Sequence, residues 1–271
     1  MLEAGLIFFR FLHLATAMIA FGAAVFPYYA RAAPRFPMRI VTGLALLSGF
    51  AWFASILLNI SGDAATAFRP DEIRLVLLKT GFGRTWLVHL SLSLALFVSA
   101  TAGPRALTAA TAALSLAALA GIGHAAAGEG AEHLVRLVSQ GVHLLSAGLW
   151  LGGLVPLWRA IASKDEGREQ IVRRFTSTGY AAVALVVLTG LINTWLVTGS
   201  FLPSPGSVYG RILLIKIALV AGLVAIALFN QFYATRRSLW PLLRRGIAGE
   251  LAVFTCVLIA VAWLGVTSPA S

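Results

Sequence analysis

Apolar runs of about 20 residues, the length a helix needs to cross the ~30 Å of bilayer hydrocarbon, recur along this entire chain. They read as spans over Leu6–Tyr28, Met38–Ile60, Trp86–Ala102, Ala106–Ala125, Leu134–Leu157, Phe175–Thr198, Arg211–Phe232 and Ile247–Val266. The runs are continuous rather than alternating, which excludes a β-barrel. The expected fold is therefore an all-α polytopic membrane protein with eight transmembrane helices. Charged residues make up only 11% of the chain, against about 25% in a soluble domain. Ser61–Thr85, the longest stretch outside the spans, reads as a single loop. The first run lacks the basic lead and small-residue cleavage site of a signal peptide, so it reads as a retained helix.

The net charge is +11, and its placement sets the orientation. Arg31, Arg35 and Arg39 follow the first span, and Arg105 follows the third. Arg159, Lys164, Arg168, Arg173 and Arg174 follow the fifth; Arg236, Arg237, Arg244 and Arg245 follow the seventh. The alternate loops hold fewer basic residues. The positive-inside rule then puts the odd-numbered loops in the cytoplasm and both termini on the periplasmic side. These charges edge hydrophobic helices and form no soluble patch, so the partner they imply is the lipid bilayer and no nucleic acid. The single cysteine, Cys256, reads as a small apolar packer in the last span.

All five histidines fall on one side in this topology. His13 and His143 lie about eight residues into their spans, roughly 12 Å below the outer interface at 1.5 Å per residue. His89 and His124 lie shallower, and His133 falls in an outer loop with Glu129 and Glu132. Sequence offsets also repeat. His13 is followed nine residues later by Gly22, and His143 nine residues later by Gly152. Phe82-Gly83-Arg84 precedes His89, and Tyr209-Gly210-Arg211 precedes Lys216 at the same offset. Ser48-Gly49 has a counterpart in Thr189-Gly190. The chain reads as two tandem four-helix repeats, residues 1–126 and 130–271, related by an axis along the membrane normal.

Ionisable groups inside a span are costly and mark bundle interiors or wet cavities. Imidazole suits copper, zinc, iron and nickel. The expected metal ligands are His13, His143, His124, His89 and His133, with Lys216, Asn193, Arg84 and Arg211 as supporting polar groups. Methionine is too scarce for a thioether ladder; Glu250 and Asn230, near the basic side, are the polar groups there that extend a path or simply favour a helix end. No phosphate loop, nucleophile elbow or intramembrane carboxylate pair is present, so neither hydrolysis nor ATP-driven pumping is expected.

Several segments carry a family resemblance. Arg10-x-x-His13 with Gly22 and Phe26, Gly123-His124-Ala125-Ala126-Ala127, the run from His143 to Leu154, Leu188-Thr189-Gly190-Leu191-Ile192-Asn193, and Tyr209-Gly210-Arg211 with Leu214, Lys216 and Asn230 resemble the copper resistance protein D (CopD) family. The resemblance implies a non-enzymatic copper importer of the bacterial inner membrane. His13, His124 and His143 match the family's recurrent histidines, and a separate periplasmic CopC-like copper-binding protein is the implied partner. Each half is also similar to HemJ-type membrane enzymes. That similarity implies an alternative, a haem b redox protein with His13 and His143 as axial ligands. A third reading is an assembly factor whose bundle holds a lipid or a partner helix.

Overall fold

The computed structural model describes residues 2–123, 130–162 and 167–269. The long helices are α1 (Leu2–Ala30), α2 (Met38–Ser61), α5 (Gly81–Ala102), α9 (Arg168–Thr198), α10 (Val208–Phe229) and α11 (Trp240–Leu264). A further span runs from α7 (Gly130–Ala147) through a π turn at Gly148–Gly152 into α8 (Gly153–Ala162). Among the described residues, seven helical stretches are long and apolar enough to cross a membrane, and Arg105–Gly121 is a shorter apolar eighth. That eighth comprises α6 (Arg105–Ala118) and a 3-10 turn at Leu119–Gly121. At 1.5 and 2.0 Å per residue it reaches about 27 Å, close to the hydrocarbon thickness. Its helix stops four residues before the expected end at Ala125.

Ser61–Thr85 is not a plain loop. It contains α3 (Ala64–Ala67) and α4 (Pro70–Lys79). The Asp63 carboxylate accepts the Thr66 backbone N–H at 2.9 Å and caps α3. The same bond holds the Asp63 carboxyl below its ordinary pKa. Pro70 starts α4, Asp71 and Glu72 occupy its first turn and Lys79 its last, each matching the helix dipole. A second loop expectation also changes: α7 starts at Gly130, so Glu132 and His133 belong to its first turn.

α1 occupies the centre, packing against α2, α6, the π turn, α8, α9 and α11. Glycine makes this possible. A Cβ on Gly22 would collide with the backbone of Gly152 and Gly153, and one on Gly152 would collide with the Met18 carbonyl. The two segments therefore meet backbone to backbone, as small-residue contacts allow in membranes. Large apolar side chains such as Leu47, Phe50, Val88, Leu188 and Ile215 face outward, where lipid replaces water as their surroundings. Cys256 also lies exposed on this outer surface rather than packed inside.

Candidate functional site

Two imidazoles are among the most deeply buried polar groups. His13 of α1 and His89 of α5 are both fully buried, and their Nε2 atoms lie 2.8 Å apart. His13 Nδ1 lies 3.0 Å from the Ala45 carbonyl oxygen and 3.2 Å from Ser48 Oγ. His89 Nδ1 lies 2.9 Å from the Ser115 carbonyl oxygen. A carbonyl oxygen only accepts, so each Nδ1 carries a hydrogen. Each neutral ring then turns an Nε2 lone pair toward the other. Two lone pairs at hydrogen-bond distance repel unless a cation, either a proton or a metal ion, lies with them.

The surroundings fix this arrangement. Ser48 Oγ also donates to the Ala45 carbonyl, and Ser93 Oγ, one turn from His89, bonds Ser115 Oγ at 2.9 Å. Trp52 and Trp86 pack edge to face and flank the His13 ring. Trp86 is completely buried beside both imidazoles. Trp195 and Phe201 stack on each other at an exposed edge. A carbonyl acceptor behind each ring sets its tautomer and orientation, the usual outer-shell partner of a ligating histidine.

The pair has the chemistry of a metal site of low coordination. With metal–nitrogen bonds of about 2 Å, these two nitrogens could hold an ion only beside the N–N line or if the rings parted by about 1 Å. Among the described residues no group of three or more His, Cys, Asp or Glu gathers for a metal.

His143 does not join this pair. Its Nδ1 bonds Thr189 Oγ1 at 2.9 Å, and Thr189 Oγ1 donates in turn to the Leu185 carbonyl. Gly190 faces the His143 ring much as Gly49 faces the His13 ring. Lys216 of α10 is within electrostatic reach of His143. Asn193 accepts from Ser139 at 2.7 Å and donates to Gln140 at 2.9 Å, tying α9 to α7. Arg84 and Arg211 are exposed at helix starts, Arg211 donating to the Pro205 carbonyl. His133 is half-buried, with Nδ1 lacking a partner. His124 lies outside the described residues.

Sequence reasoning gave Arg10 no role at the site. Its guanidinium lies 5.2 Å from the Trp52 ring centroid and covers Gly265, where a Cβ would overlap it. Arg10 precedes His13 by three residues, so the helical period alone puts both on one face of α1. The accepting carbonyls of Ala45 and Ser115 had no signal in the sequence, because any residue supplies one.

Residues 1–134 match the family description "Copper resistance protein D-like, N-terminal domain", and residues 169–264 match "Copper resistance protein D". The inner membrane protein YebZ of Escherichia coli is 32% identical over 246 residues, covering 84% of this chain and 83% of its own. The chain belongs to the copper resistance protein D family. Copper resistance protein D of Pseudomonas syringae pv. tomato is 29% identical, covering 96% of this chain and 95% of its own. The copper transport protein CutJ of Bacillus subtilis is 29% identical over 83% of this chain but only 44% of its own length. No solved structure matches the chain. Family membership agrees with the all-α membrane fold and gives the buried histidines a copper-related context.

Proposed function

We propose that this protein carries copper across the bacterial inner membrane from the periplasm, without enzymatic chemistry, and that His13 and His89 are its buried ligand pair. The observation that carries this reading is the 2.8 Å approach of two Nε2 atoms whose Nδ1 hydrogens are both committed to carbonyl oxygens. Such a pair is short of one cation. Copper arrives at the outer face near His124 and His133, handed over by a separate periplasmic CopC-like protein, and both termini lie on that face.

The chain is two tandem four-helix units, residues 1–126 and 130–271. In support, His13 meets Ser48 and Gly49 as His143 meets Thr189 and Gly190. Thr80 caps the Gly83 N–H as Ser207 caps the Gly210 N–H. Gly22 and Gly152, equivalent by offset, touch each other, as residues beside a pseudo-twofold axis do. The second unit has Lys216 where the first has His89, so His143 has no imidazole at the position that faces His13 in the first.

A haem held by His13 and His143 finds no support. His13 Nε2 faces His89 inside a packed shell of Trp52 and Trp86, and His143 is bonded to Thr189.

Total cell copper under mild copper load tests the proposal, in cells expressing wild type, His13→Ala, His89→Ala or His143→Ala at matched membrane levels. Accumulation with wild type, lost in the first two variants and less affected in the third, is expected. Equal copper in all strains refutes transport by this site.

A further inference from the structure

A second buried polar cluster lies in the Arg-rich half of the bundle. Glu250 of α11 is 3% exposed and Asn230 of α10 is 4% exposed. Asn230 Nδ2 donates to Glu250 Oε1 at 2.6 Å, while Asn230 Oδ1 is buried with no partner. Asn230 begins a π turn (Asn230–Thr235), a distortion common at functional sites. The amide is pinned over Gly246, where a Cβ would overlap it. Gly246 and Glu250 are four residues apart and share a face of α11. Both polar residues border a cavity of about 240 Å³ between α8, α9, α10 and α11.

Among the described residues no arginine, lysine or histidine lines this cavity, and the one other titratable lining side chain is Tyr180 of α9. Tyr29 of α1 lies behind Phe175. The nearby arginines are engaged elsewhere. Arg174 donates to the Ala30 carbonyl, Arg159 to the Arg35 carbonyl, and Arg244 lies over the Trp158 ring. An ionised Glu250 would thus be a buried carboxylate with a single amide donor and no counter-charge, an arrangement that costs several kcal/mol in a low-dielectric interior.

We propose that Glu250 and Asn230 form a proton-binding site that exchanges with water on the Arg-rich side through this cavity, independently of copper. A primary amide offers both N–H donors, on Nδ2, and an acceptor, Oδ1. A carboxylate uses only a donor, whereas a carboxylic acid uses a donor and the acceptor: Nδ2–H to Oε1, and the acid O–H to Oδ1. Protonation, a proton moving from water to a Glu250 oxygen, therefore satisfies the one Asn230 atom left without a partner.

Infrared difference spectroscopy on the full protein in lipid vesicles, without copper, tests this. Buffer is switched between about pH 9 and about pH 5.5, above the range where exposed carboxylates take up protons. A protonated-carboxyl band is expected in wild type, absent in Glu250→Gln, and unchanged by sodium or potassium. Asn230→Ala keeps the acid but removes its partner, and is expected to shift the band's position. No band, a band surviving in Glu250→Gln, a band abolished by sodium, or an unshifted band in Asn230→Ala overturns the proposal. None of these outcomes depends on His13 or His89.

Discussion

Replacing Gly22 by alanine is expected to loosen the centre of the bundle. The added methyl would land on the Gly152–Gly153 peptide and 2.7 Å from the Gly148 carbonyl oxygen. Every obstacle is backbone, so no side-chain rotation relieves it. Ordinary contact needs a separation of about 3.4–4 Å, so α1 and the π turn must part by more than about 1 Å along their closest approach. Overpacking of well-packed interiors costs about 1–3 kcal/mol, and a backbone obstacle puts Gly22→Ala near the top of that range. The melting temperature in detergent should fall by roughly 5–10 °C. Gly222→Ala is the control: nothing lies within 4 Å of a Cβ there, and losing a helical glycine should be neutral or stabilising by up to about 1 kcal/mol. Gly22→Ala and Gly152→Ala together should cost less than their sum, because the first already opens the contact. A Gly22→Ala protein as stable as the Gly222→Ala protein would refute the backbone-to-backbone packing.

Thr80→Ala and Ser207→Ala each delete a cap on a glycine N–H, and each should cost about 1 kcal/mol; similar losses on thermal unfolding are expected if the two helices are equivalent parts of two units. Asn193→Leu leaves Ser139 and Gln140 without their partner and should destabilise by about 1–3 kcal/mol, while copper binding at the His13 pair, followed by titration, stays as in wild type. Ser48→Ala removes one of two acceptors behind His13; copper affinity is expected to weaken by about tenfold, in a competition assay with a copper chelator. Lys216→His supplies the second unit with a second imidazole beside His143, and bound copper should rise from about one to about two ions per chain, measured by metal analysis.

The helices were legible because hydropathy over a span's length has few competing explanations in a chain this apolar. α3 and α4 were not. Their signals, an Asp63 cap and Pro70 at a helix start, are short and sit in a stretch whose length suggests only a loop. The burial of His13 and His89 was legible in part, but not their pairing. His13 and His143 look matched when depth is counted along each span, yet depth says nothing about which helices are neighbours. His89 looked shallow because its span was started at Trp86. The Thr80 cap starts α5 at Gly81, which puts His89 eight residues in, about 12 Å along the helix and level with the expected depth of His13. The offsets linking Ser48-Gly49 to Thr189-Gly190 were informative, because both pairs face a histidine in the structure.

X-ray absorption at the copper edge, on copper-loaded wild type and His89→Gln at equal protein concentration, addresses the ligand pair most directly. The account predicts two imidazole nitrogens at about 2 Å in wild type and loss of one or both, with weaker copper retention, in His89→Gln. Imidazole scattering that is absent from wild type, or identical in the variant, would contradict it.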